Sequence, residues 1–263
     1  MQDFETNEIV IGLVIADEME FIPFKEAAQE RATIESDYLS ETLMDYFDED
    51  KICECVFEGE SNPDNEQESY SYRIIAVQCG IGKVNAAFAA TILGSICNVD
   101  IMLNVGLSGA VKGVRRGDIV IGTSYTEADI DVSPLGYEKG IKPGEKTNIF
   151  GTYEPSLLMF RDCTEGAVCA SLGCGDFFLA GEIKKFYIDN FDIAAFDMET
   201  GAMACVCNKL NIPFQSIRKV SDDSDDCKDQ YNEMNNRKEQ HLSNIIFDSL
   251  YKKGYMLFDS VGF

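Results

Sequence analysis

One histidine, six prolines and 22 basic residues are few for a chain of 263, and each shortage excludes something. The lone histidine, His241, lies in a polar helical stretch. The tightest cysteine pairs, Cys53-Glu54-Cys55 and Cys205-Val206-Cys207, leave one residue between sulfurs, not the usual spacing of zinc ligands. No metal site is expected. So few prolines, with no linker-like stretch, point to a single domain over residues 1–263. Against 46 acidic residues the basic ones leave a formal charge of −24, which repels phosphate backbones and anionic membrane surfaces. Neither nucleic acid nor a membrane is an expected partner, and no apolar run is long enough to span a bilayer.

What is present is a core-forming composition, 45% hydrophobic. Ten cysteines are scattered, many in apolar segments (Cys79, Cys97, Cys169, Cys205, Cys207), and the first residues do not read as a secretory leader. They are expected to be buried, reduced thiols in a cytoplasmic protein. The acidic runs Asp45 to Glu54, Glu58 to Glu68 and Asp222 to Asp229 read as solvated surface.

Strand-like runs recur at Ile9–Ala16, Ile52–Glu58, Tyr70–Cys79, Asp100–Val105, Asp118–Tyr125, Ala167–Cys174, Ile193–Met198 and Ile212–Val220. Helical patterns fall at Met19–Glu30, Lys83–Cys97, Glu182–Asp189, Glu199–Leu210 and Tyr231–Lys252, the last with Leu242, Ile245, Ile246 and Leu250 on one face. This alternation predicts an α/β fold with a parallel or mixed sheet covered by helices. Residues 31–70 are the least legible, and 59–69 reads as an exposed hairpin loop.

Glu20, Glu199 and Asp222 each stand where an apolar strand gives way to a helix. In open α/β sheets that edge is the usual ligand site. Each acid also has a bland reading: Asp17-x-x-Glu20 resembles a capping box, Glu199 complements a helix dipole, and Asp222 suits an N-cap. Gly80-Ile81-Gly82-Lys83 sits between strand and helix but lacks the Ser or Thr of a phosphate loop and the third glycine of a dinucleotide fingerprint, so it reads as a tight turn.

In order along the chain come Gly80-Ile81-Gly82-Lys83-Val84-Asn85-Ala86-Ala87, Asn104-Val105-Gly106-Leu107-Ser108-Gly109, Gly117-Asp118-Ile119-Val120, Gly136-Tyr137-Glu138, Gly175-Asp176-Phe177-Phe178, Met198-Glu199 and Ser221-Asp222. This series resembles the nucleoside phosphorylase and nucleosidase superfamily, and most of all its 5′-methylthioadenosine/S-adenosylhomocysteine nucleosidases. The resemblance implies a three-layer α/β/α sandwich with a mixed, partly barrel-like central sheet, often assembled as a homodimer. It implies hydrolysis of a purine nucleoside, within methionine salvage, without metal or organic cofactor. By the same resemblance Glu20 activates water, Glu199 and the Met198 backbone clamp the ribose hydroxyls, and Asp222 protonates the departing purine at N7. Phe178 stacks on the base, the Leu179 main chain meets its edge, and Ser221 and Arg218 orient Asp222.

The chain departs from the pattern at four places. Asp17 replaces an apolar residue near the 5′ substituent, and Leu107 replaces a small hydroxyl residue. Leu135 stands where an aromatic residue is often lent across the dimer, and Cys174 where Ser is frequent. Breaking an N-glycosidic bond builds positive charge on the sugar and negative charge on the base, so acids on both sides lower the barrier. An aspartic acid with an ordinary pKa near ~3.9 donates at neutral pH only if burial or the bound purine raises that value. A phosphorolytic enzyme of the superfamily and a non-catalytic nucleoside-binding protein are the alternatives. The first needs a cation near the anomeric carbon, where Asp17-Glu18-Met19-Glu20 offers the opposite charge. A nicotinamide dehydrogenase is disfavoured by the missing glycine fingerprint.

Overall fold

The computed structural model describes residues 6–35, 38–63, 69–145, 147–224, 228–236 and 240–260. Strand β1 (Thr6–Ile15) explains the unbroken run IVIGLVI: Ile9, Ile11, Leu13 and Ile15 enter one core and Val10 and Val14 the other. A strand covered on both faces needs apolar residues at every position, not every second one. β1 lies between β4 (Ser69–Gln78) and β5 (Ile101–Ala110), parallel to both. β3 (Ile52–Gly59) pairs antiparallel with β4, and β2 (Thr33–Glu35) with β3.

Beyond β5 the sheet closes on itself. β10 (Phe214–Asp222) runs parallel to β5 and antiparallel to β6 (Ile119–Glu127). β6 is parallel to β8 (Val168–Cys174), β8 to β9 (Ala195–Asp197), and β9 returns antiparallel to β5. These five strands form the barrel-like part; β1 to β4 form an open wing, and β7 (Ile149–Gly151) adds to β6.

Helices cover both faces. α1 (Glu18–Arg31), α4 (Glu154–Cys163) and α8 (His241–Lys253) contribute Phe21, Phe24, Phe160 and Phe247 to one core. α2 (Tyr38–Leu43), α3 (Lys83–Ile96) and α6 (Thr200–Leu210) supply Leu43, Leu93 and Met203 to the other. α5 (Ile183–Asn190) packs Tyr187 against Phe177 and Phe196 in a third, smaller cluster. α7 (Lys228–Asn235) buries little except Met234.

Several expectations change. The pattern over Tyr231–Lys252 is two helices, α7 and α8, with 237–239 outside the described residues. Ile245, Ile246 and Leu250 give α8 a buried face, whereas α7 is polar apart from Tyr231 and Met234 and buries only Met234. α4 was not anticipated: Pro155 opens it, and Ser156, Met159 and Phe160 are its buried side. β5 runs on to Ala110 and β10 to Asp222, past the expected ends at Val105 and Val220, so the strands take in the Gly-rich and acidic motifs. The 59–69 segment does connect an antiparallel pair, β3 and β4, while 64–68 lie outside the described residues. Cys169, expected to be buried, is exposed. Glu54, expected on a solvated surface, is 2% exposed and is held by Arg73 at 2.6 Å.

Candidate active site

A cavity of about 250 Å³ opens where β1, β5, β9 and β10 end, and Glu20, Glu199 and Asp222 all line it. Two glycines of β5 make room for them. A Cβ on Gly106 would sit 2.7 Å from Arg218 Nη1 and 3.0 Å from Glu20 Oε2; one on Gly109 would run into Ser224 Oγ and stand 3.2 Å from Asp222 Oδ1. Glycine is needed there for close approach of side chains to the strand.

The bland readings separate at once. Asp17 is the N-cap of α1, its side chain accepting from Met19 N–H at 2.9 Å, but Glu20 does not complete a box: it accepts from Leu107 N–H at 2.7 Å, across the cavity floor. Burial pushes the Glu20 carboxyl up to about 7, against the pull of Arg218 and of the Leu107 hydrogen bond. Glu199 precedes α6, but its side chain does not cap it; it accepts from Gly82 N–H at 3.0 Å. Burial raises its pKa, opposed by Arg218 and reinforced by Asp197. The cap of α6 is Asp197, which accepts from Glu199 N–H at 2.9 Å and Thr200 N–H at 2.8 Å.

Asp222 is no N-cap either. It ends β10 at an irregularity: Val220 pairs with Ser108 and Asp222 with Gly109, leaving Ser221 as the extra residue. Such a bulge re-aims the side chains after it. Ser221 Oγ lies 2.6 Å from Asp222 Oδ2, and Ser224 N–H donates to Asp222 Oδ1 at 2.9 Å. The Ser221 hydroxyl thus lies against the Asp222 carboxyl. Arg218 serves other groups. Its guanidinium, 1% exposed, lies 3.3 Å from Asp197 and 3.6 Å from Glu199, donates to Thr200 Oγ1 at 2.7 Å, and also bonds Asn104. It compensates the buried acids, and among the described residues the side-chain and backbone contacts of Asp222 come from Ser221 and Ser224 rather than from Arg218.

Met198, Leu107 and the loop after β8 complete the wall. Leu179 is buried, whereas Phe178 is 46% exposed at the rim, its ring 5.4 Å from that of Tyr231 and nearly perpendicular to it. Leu135 stands apart: it is 71% exposed in a 3-10 turn over 133–135 and does not line this chain's cavity. Sequence reasoning missed Tyr231 and Asp197. Asp197 carried a faint signal, a charge closing a short apolar strand; Tyr231 carried none, because only the packing of α7 brings it to the rim. Cys79 has its thiol pushed up to about 12 by burial and by Glu199, so it is neutral and no nucleophile at pH 7. Among the described residues no group of three or more His, Cys, Asp or Glu is arranged to hold a metal ion, and no helix is long and apolar enough to cross a membrane.

The arrangement offers one carboxyl poised near neutrality, a second acid held by two serines, and an aromatic rim. Such a set can take up a proton and hydrogen-bond a small ligand held in the cavity. Comparison with known proteins agrees. The model of the phosphorylase superfamily matches residues 62–249. The 5′-methylthioadenosine/S-adenosylhomocysteine nucleosidase of Actinobacillus succinogenes is 33% identical over 180 residues, 65% of this chain and 73% of that protein. The nucleosidase of the same name from S. pneumoniae, solved with the transition-state inhibitor MT-ImmA, is 22% identical, has a TM-score of 0.75 and covers 92% of this chain and 99% of its own. Futalosine hydrolase of Helicobacter pylori, 18% identical with a TM-score of 0.73, covers 96% of this chain and 98% of its own. These two structural likenesses are likenesses of fold.

Proposed function

This chain belongs to the phosphorylase superfamily and, within it, to the 5′-methylthioadenosine/S-adenosylhomocysteine nucleosidases, and from that premise we propose that it hydrolyses the N-glycosidic bond of those two nucleosides. The observation that carries the reading is the convergence of Glu20, Glu199 and Asp222 on one cavity. Glu20 takes a proton from water as the water oxygen bonds to the anomeric carbon. The bond to the purine N9 breaks, its electron pair passes into the base, and Asp222 delivers a proton at N7. Adenine and the 5-thioribose leave. Glu199 accepts from the ribose hydroxyls and, with Glu20, faces the positive charge that builds on the sugar. Phe178 stacks on the base, and the Leu179 main chain meets its edge. Each proton transfer is worth about 10²–10⁴-fold in rate.

Water is favoured over phosphate as the nucleophile because Arg218, the only Lys or Arg lining the cavity among the described residues, is already engaged by Asp197 and Glu199. An anion beside Asp17 and Glu20 would meet uncompensated repulsion. Incubation with methylthioadenosine, adenosylhomocysteine, adenosine, inosine and uridine, with and without phosphate, tests this: free 5-thioribose and adenine are expected, and ribose 1-phosphate products would reverse the assignment.

We assign the reaction to the cytoplasm and to methionine salvage on the family resemblance alone, and we propose that the protein is a homodimer. What supports the dimer is exposed apolar surface: Ile81, Val84 and Phe88 at the start and outer side of α3, and Leu135 and Tyr137 in the turn after β6, are 40–78% exposed. Light scattering on Val84→Glu should give a monomer where the wild type gives a dimer.

A further inference from the structure

Three residues behind the cavity close a ring of hydrogen bonds. Lys83 Nζ donates to Asp129 Oδ1 at 2.7 Å, Lys83 N–H donates to Asp176 Oδ1 at 2.8 Å, and Asp176 N–H donates to Asp129 Oδ2 at 3.0 Å. Each comes from a different element: Lys83 opens α3, Asp129 follows β6 and Asp176 follows β8. The Lys83 and Asp129 side chains are only 14% and 18% exposed, so their attraction is screened less than that of a surface pair. Gly82, the N-cap of α3, has no side chain to offer the helix, and Asp176 caps it from the neighbouring loop. The fit is tight, since a Cβ on Gly175 would stand 2.8 Å from Asp129 Cβ.

Both sides of the ring lead into the cavity. Gly82, one residue before Lys83, donates its N–H to Glu199 at 3.0 Å. Phe178 and Leu179, two and three residues after Asp176, line the wall. None of the three ring residues lines the cavity. We propose that Lys83, Asp129 and Asp176 are positioning residues that hold the loop over residues 175–179 in register with Glu199, and so set the affinity for the nucleobase without touching it. The inference rests on the nucleoside reading of the cavity. Loosening the ring frees the loop that carries Phe178, while Glu20 keeps its bond from Leu107, Asp222 its contacts with Ser221 and Ser224, and Glu199, which loses at most the Gly82 bond, its ion pair with Arg218. Small displacements of a positioning element are costly in this way.

The test separates base from sugar by calorimetric titration of purified protein with two probes, adenine and 5-methylthioribose. Asp129→Asn and Lys83→Met should each weaken adenine about tenfold and leave 5-methylthioribose within about twofold, with KM for methylthioadenosine rising more than kcat falls. Lys83→Arg, which keeps the charge and a donor, should recover most of the adenine affinity. If Asp129→Asn fails to fold, Asp176→Asn reads the same ring from an exposed position. Unchanged adenine binding, or equal weakening of both probes, would overturn the ring's role. A wild-type protein that binds neither probe would instead overturn the nucleoside reading itself, and this inference with it.

Discussion

Replacing Glu20 by Gln should stabilise the protein while disabling it, and the size of the gain should depend on pH. In the folded protein the carboxyl titrates at about 7 instead of its ordinary 4.5, chiefly because it is buried. An acid with a raised folded pKa binds its proton more tightly folded than unfolded. The native state is therefore favoured most below 4.5, and that advantage is lost as pH rises towards 7. The gap between 4.5 and about 7, at 1.36 kcal/mol per pKa unit, makes the wild type about 3 kcal/mol less stable at pH 8 than the same fold with a neutral group there. Gln never ionises and can still accept the Leu107 N–H. Urea denaturation should show Glu20→Gln about 3 kcal/mol more stable than wild type at pH 8, shrinking to under about 1 kcal/mol at pH 5. Turnover should move the other way: wild-type kcat/KM should fall about tenfold per unit below pH 7, and the variant should lose about 10²–10⁴-fold throughout. A stability change equal at the two pH values, or a wild-type rate flat from pH 5 to 8, would refute both the burial argument and the role as base.

Asp222→Asn keeps an oxygen for Ser224 N–H but has no proton to give, so turnover should drop about 10²–10⁴-fold while calorimetry finds adenine binding little changed. Arg218→Met leaves Asp197, Glu199 and Glu20 without their buried counter-charge and should cost about 3–5 kcal/mol in urea denaturation. Gly109→Ala pushes on Ser224 and Asp222 at the end of β10, so steady-state assays should show activity falling well before the thermal midpoint does.

The candidate acids that share the cavity were more legible than the scaffold behind them. Glu20, Glu199 and Asp222 stood out because a carboxylate at the end of an apolar strand is costly unless it is used or paired, and the ordered motifs around them named the family. The bland readings of the same acids could not be removed from sequence. A capping carboxylate and one turned into a cavity differ only in where the side chain points, and Gly106 leaves the room beside β5 that Glu20 and Arg218 occupy. The resemblance implied that Arg218 orients Asp222, but in the fold the bulge at Ser221 lies between them and the guanidinium faces the buried acids Asp197 and Glu199.

Strand and helix periodicity, the doubly buried β1 and the three candidate acids were written in the chain itself, because hydrophobic spacing and isolated charges are local properties. Closure of five strands into a ring, the arrival of Tyr231 at the rim, the splitting of the last helix, and the Lys83–Asp129–Asp176 ring were decided only in three dimensions. Each joins residues tens of positions apart, and no local pattern carries the distance between them.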